Sequence, residues 1–104
     1  MYLPVANGEG KVAAELKVLA KLNVALRYCD ESGKPTLAYP DNPNGSMDCI
    51  AGLADKTGRV FALMPHPERY IRSSQHPQWP RSGNRENGDG FAIFANAVNW
   101  VKSL

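Results

Sequence analysis

Val60-Phe61-Ala62-Leu63-Met64 is followed at once by Pro65-His66-Pro67. Five consecutive apolar residues without polar alternation predict a strand buried on both faces. The prolines then stop it, because each removes a backbone donor and fixes its own φ. Such a strand needs cover on both sides, and only two stretches have a helical period. One runs from Lys11 to about Leu22, with Val12, Leu16 and Leu19 at i, i+4 and i+7. The other is Gly90–Leu104, with Asp89 at the N-cap position. Its apolar residues form two stripes: Phe91, Phe94, Val98 and Val101, then Ile93, Ala97, Trp100 and Leu104. A helix with two stripes packs against more than one neighbour. The chain therefore asks for additional structure, from another chain or from a missing N-terminal half.

The remaining elements follow from local chemistry. Residues 2–5 are short and apolar and end at Asn7-Gly8-Glu9-Gly10, which predicts a strand and then a glycine turn. Pro4 places that strand at an edge or an end. Val24 to Cys29 alternates as a strand does, with Val24, Leu26 and Tyr28 on one face. Residues 30–35 carry turn chemistry, and a weak strand is expected at Thr36–Tyr39. Pro40-Asp41-Asn42-Pro43-Asn44-Gly45-Ser46 predicts a defined loop. Ile50–Ala54 and Val60–Met64 then form a β-hairpin around Asp55-Lys56-Thr57-Gly58, with Gly58 at positive φ. Residues 72–90 are polar and rich in Pro, Gly, Asn and Arg, and predict a long surface loop. The sum is an α/β chain with a hairpin and a terminal helix.

At 104 residues the chain makes one domain with a modest core. Its formal charge is +2, and Lys17, Lys21, Arg27, Arg69, Arg72, Arg81 and Arg85 are scattered. That argues against nucleic acid as a partner, which needs a clustered basic face. Cys29 and Cys49 lack the paired spacing of a zinc site, so no metal is expected and both read as reduced, partly buried thiols. No apolar run is long enough to span a membrane, and no signal peptide is visible. The expected setting is cytoplasmic.

The chemistry concentrates at His66-Pro67-Glu68. Sites in open α/β sheets form where strands end at their carboxyl edge. In an extended stretch, residues i and i+2 project to the same side, and Pro67 biases His66 towards extended backbone. An imidazole and a carboxylate are thus presented together. A carboxylate on one ring nitrogen sets the tautomer of the other, which is the base-and-orienter half of a nucleophilic triad. The bland alternative is that Pro65 and Pro67 merely end the strand and His66 caps it.

The segment MPHPER (residues 64–69) resembles the signature of class I glutamine amidotransferases, which use a Cys-His-Glu triad. LPVANGEG (3–10), VALRYCD (24–30), YPDNPNGS (39–46), IAGL (50–53) and GDGFAIFANAVNWV (88–101) resemble, in matching order, the amidotransferase subunits of phosphoribosylformylglycinamidine synthase. The resemblance implies that residues 1–104 are the C-terminal half of a flavodoxin-like amidotransferase domain, with residues 72–90 as a loop within it. It implies that His66 is the general base and Glu68 its orienter, acting on glutamine, with ammonia passed to a synthetase of purine biosynthesis. No cofactor is expected in this chain; ATP and magnesium belong to the synthetase partner.

Two departures qualify the resemblance. The nucleophile should sit on a strand-to-helix turn flanked by glycines, and neither Cys29 (Arg27-Tyr28-Cys29-Asp30) nor Cys49 (Met47-Asp48-Cys49-Ile50) has that context. The isolated chain is therefore expected to be inactive. Asn7 stands where the family usually shows His before Gly-Glu-Gly. His76 is a rival histidine, best read as part of a solvated loop with a packed Trp79. A non-catalytic, amidotransferase-like interaction domain is the alternative reading, and homo-oligomers are possible through exposed sheet edges.

Overall fold

The computed structural model describes residues 1–6, 10–77 and 86–104. The chain divides into two compact units, Asn7–Met64 and Met1–Ala6 with Pro65–Leu104. Residues 7–9 of the expected glycine turn Asn7-Gly8-Glu9-Gly10, and the expected Trp79 packing, lie outside the described residues.

The unit spanning 7–64 carries an antiparallel sheet of order β1-β2-β3, with β1 at Val24–Arg27, β2 at Ile50–Ala54 and β3 at Phe61–Leu63. Strand β1 shows the expected alternation, continued by buried Tyr28. The β2–β3 hairpin pairs Gly52 with Leu63, Leu53 with Ala62 and Ala54 with Phe61. Its turn is organised by Asp55. One carboxylate oxygen accepts the Arg59 and Val60 amides at 3.0 Å, and the other accepts the Thr57 hydroxyl at 2.6 Å. Gly58 takes φ +73°, the left-handed conformation that the turn chemistry predicts.

Burial within the hairpin is inverted relative to the sequence reading. The central strand β2 is the buried one, with Ile50 fully enclosed. The more apolar run lies at the sheet edge, and Val60 and Phe61 are 64% and 44% exposed. The reason is position: β3 has a strand neighbour on one side only, and among its residues Leu63 alone is half-buried.

Two helical and strand assignments shrink. The helix expected over 11–22 reduces to α1, Leu16–Leu19. Backbone upstream is already engaged: the Val12 amide donates to Ser46 Oγ at 3.1 Å, the Val12 carbonyl accepts the Met47 amide at 2.9 Å, and the Ala14 amide reaches Met47 Sδ at 3.4 Å. Groups tied to another segment cannot join an i→i−4 ladder. The weak strand at 36–39 is replaced by a local turn in which Thr36 Oγ1 accepts the Ala38 amide at 3.0 Å. A single bridge, Cys29 to Pro35, marks where it would have paired.

The loop 40–46 is a polar knot. Asn42 and Ser46 are both buried to 1% exposure. The Asn42 carboxamide accepts the Ser46 amide at 3.0 Å and donates to the carbonyls of Thr36 and Ser46 at 3.1 and 3.3 Å. Asn44 donates to the Gly10 carbonyl at 3.0 Å.

In the other unit, residues 2–5 form no strand. Pro4 has no amide to donate, so a ladder cannot run through it. Helix α2 spans Gly90–Lys102, two residues shorter than expected. Phe91, Phe94, Val98, Trp100 and Val101 all remain exposed, so both apolar stripes lack the neighbours that the sequence requires. Three antiparallel strands, α1 and α2 make a small α/β fold. The described residues do not display the doubly wound sheet of a flavodoxin-like domain. No helix among them is long and apolar enough to cross a membrane.

Two outcomes are expected. Asn42→Ala strands the buried Ser46 amide and Thr36 carbonyl, and should cost on the order of 1–3 kcal/mol; urea unfolding will show it as a lower midpoint at unchanged slope. The chain alone should also self-associate through its edge strand and bare apolar faces. Sedimentation velocity over a concentration series measures this, and a monodisperse, cooperatively folding monomer would contradict it.

Candidate active site

Two residues beyond the end of β3, the chain enters Pro65-His66-Pro67-Glu68-Arg69. Pro65 is buried and His66 is half-buried. His66 takes φ −105° and ψ 90°, outside the helical region, as a residue before proline must. The backbone then departs from the sequence reading. Pro67–Arg69 is one turn of 3-10 helix rather than extended chain, with Pro67 at its first position. Proline suits that position, since its φ is pre-set and no donor is wasted.

The two functional side chains meet all the same. His66 Nδ1 lies 2.7 Å from Glu68 Oε1. With Nδ1–H donating to the carboxylate, the lone pair of a neutral ring lies on Nε2. The hydrogen bond from His66 holds the Glu68 carboxyl below its ordinary range, helped by its own backbone amide and by the nearby His66 and Arg69; partial desolvation opposes the shift. A carboxylate in this position can stabilise an imidazolium, and the ring can take and return a proton through Nε2.

Tyr70, which the sequence reading did not single out, anchors the far end of this turn. It is 3% exposed, and its amide donates to the Pro67 carbonyl at 3.1 Å. Its ring packs edge-on against Tyr2, with centroids 5.7 Å apart. An aromatic residue directly after the turn, in an otherwise polar stretch, is the signal that could have found it. His76 is drawn into the same cluster, 4.4 Å from Tyr2 and 5.4 Å from Tyr70. It is therefore a packed aromatic rather than the solvated loop residue expected.

Both cysteines are free thiols. Cys29 is exposed rather than partly buried. Cys49 and Asp48 have φ of 57° and 52°. Cys49 nonetheless leads into strand β2 and not into a helix, so no helix N-terminus is available to favour its thiolate.

A family model described as the CobB/CobQ-like glutamine amidotransferase domain matches residues 1–101. The phosphoribosylformylglycinamidine synthase subunit PurQ of Dehalococcoides mccartyi is 54% identical over 104 residues, covering 100% of this chain and 41% of that protein. The subunit of the same name from Methanococcus maripaludis is 39% identical, covering 95% of this chain and 42% of its own length. The phosphoribosylformylglycinamidine synthase of Drosophila melanogaster is 45% identical over 95% of this chain, which is 8% of that longer protein. The chain thus spans about two fifths of the length of the two subunits it matches.

The lowered Glu68 value sets a pH dependence. Its folded pKa lies below its unfolded one, so its contribution to stability is present above the ordinary carboxyl range and is lost as pH falls through the folded value. Thermal unfolding of the chain and of Glu68→Gln should therefore differ at neutral pH and converge in acid. Curves that stay equally separated at low pH would contradict the pairing.

Proposed function

This chain belongs to the CobB/CobQ-like glutamine amidotransferase domain family, class I proteins related to PurQ, and from that membership we propose that it supplies the base and the orienting carboxylate of a glutaminase site. The observation that carries the proposal is the 2.7 Å contact between His66 Nδ1 and Glu68 Oε1. It leaves Nε2 as the basic nitrogen, as a thiol-activating histidine requires.

In this reading, His66 Nε2 takes the proton of a cysteine thiol. The thiolate attacks the side-chain amide carbon of glutamine. The imidazolium, stabilised by Glu68, returns its proton to the departing nitrogen, and ammonia leaves. His66 then activates water, the thioester is hydrolysed, and glutamate is released. Neither Cys29 nor Cys49 serves as nucleophile. The thiol, its oxyanion donors and the cover for β3 and α2 come from a part of the domain outside these 104 residues. The whole protein is an amidotransferase subunit of phosphoribosylformylglycinamidine synthase, a ligase of purine biosynthesis. It delivers ammonia to a synthetase partner, which uses ATP and magnesium to amidate formylglycinamide ribonucleotide.

A non-catalytic interaction domain is the second reading, favoured by Asn7 in place of the histidine that the family usually carries there. The two separate in one experiment. Glutaminase activity should be absent from this chain alone and appear on mixing with a separately made, cysteine-bearing N-terminal half. His66→Ala should abolish it, and Glu68→Gln should lower it by about a hundredfold or more, since triad members act as a unit. Silence in a mixture that demonstrably associates would favour the interaction domain.

A further inference from the structure

The turn that carries Glu68 is held from two sides by backbone. On one side the Pro4 carbonyl accepts the His66 amide at 2.8 Å. On the other stands the start of α2, where the Gly90 amide donates to the Tyr70 carbonyl at 2.8 Å and the Gly88 amide to the Ile71 carbonyl at 3.0 Å. This approach leaves no room for a side chain. A Cβ on Gly90 would overlap the Pro67 carbonyl outright and stand 2.8 Å from the Tyr70 oxygen. A Cβ on Gly88 would lie 2.5 Å from both the ring and the carbonyl oxygen of Tyr70. Space, rather than a left-handed φ, requires glycine at both positions.

The two sides are also fastened to each other. The Tyr2 amide donates to Asp89 Oδ2 at 2.6 Å. Asp89 occupies the N-cap position of α2, yet it has helical φ and ψ and makes no cap hydrogen bond. The usual reason for aspartate there does not apply. Its carboxylate instead ties residues 2–4 to the helix start. A ring of contacts closes through Pro4, His66, Pro67, Tyr70, Gly90, Asp89 and Tyr2.

We infer that Gly90 and Asp89 are positioning residues for the His66–Glu68 pair. Gly90 lets the first turn of α2 seat directly on the backbone that aims Glu68. Asp89 fixes the strap whose Pro4 carbonyl holds the His66 amide. The pair bridges two positions across a single short turn, so a displacement of about 1 Å takes its 2.7 Å contact beyond hydrogen-bonding range. The inference rests on the reading of His66 and Glu68 as base and orienter. Its geometric part is measurable without activity.

The test uses the whole chain, labelled at histidine nitrogens and glutamate carboxyls, as Gly90→Ala and as Asp89→Ala. NMR follows the His66 Hδ1 proton and the titration of the Glu68 carboxyl; glutaminase kcat and KM are measured after complementation with the cysteine-bearing half. Both variants should lose the hydrogen-bonded Hδ1 signal and move the Glu68 titration up towards its ordinary range. Turnover should fall by about ten- to a hundredfold with little change in KM, the pattern of a misplaced catalytic group. Alanine favours a helix more than glycine does, so a folded Gly90→Ala is the informative product. Should it not fold, Asp89→Ala, which removes the acceptor of the Tyr2 amide, decides. An unchanged Glu68 titration in a folded variant overturns the inference. A displaced titration with unaltered turnover leaves the positioning in place and overturns the catalytic reading instead.

Discussion

Asn42 satisfies three backbone groups with one buried carboxamide, and the unit spanning 7–64 is arranged around that knot. Ser46 completes it by accepting the Val12 amide through its hydroxyl, which draws residues 12–14 onto the loop. Few apolar side chains are enclosed; Tyr28, Ile50, Ala51, Pro65 and Tyr70 are the buried ones among the described residues. With so little apolar burial, a satisfied polar centre carries unusual weight. Each of its groups would cost heavily if left unpaired in the interior. The segment beside the knot also shortens α1, because the Val12 carbonyl accepts the Met47 amide and is unavailable to the Leu16 amide.

The catalytic-type pair follows a different logic. It depends on sequence-local geometry: a proline that keeps His66 out of the helical region, and a second role for the same proline as first residue of a tight turn. Two residues close in sequence need no long-range folding to meet. What folding adds is a fixed direction. The turn is pressed between the residue 2–4 strap and the start of α2, so the backbone that carries Glu68 is held from both sides.

Uncovered surface is the other consistent theme. The edge strand β3 exposes Phe61, with Val60 exposed just before it, and α2 exposes Phe91, Phe94, Val98, Trp100 and Val101. In both elements, apolar periodicity is correct for a buried position and the cover is missing from the described residues. This matches a chain that spans about two fifths of the length of its PurQ relatives.

The sequence by itself determined what rests on local rules. Strand β1, the hairpin with Gly58 at positive φ, helix α2 and the pairing of His66 with Glu68 were all legible, because turn chemistry, periodicity and proline geometry act over a few residues. The family was legible too, from motifs in matching order along the chain. Tertiary structure decided the rest. It placed the most apolar run at an edge, because strand order is set by pairing and not by hydropathy. It dissolved the first half of the expected helix, because the distant Met47 amide took the Val12 carbonyl. It gave Tyr70, His76 and the closely packed glycines of the α2 start their places around the turn, because close approach between segments far apart in sequence leaves no local signature.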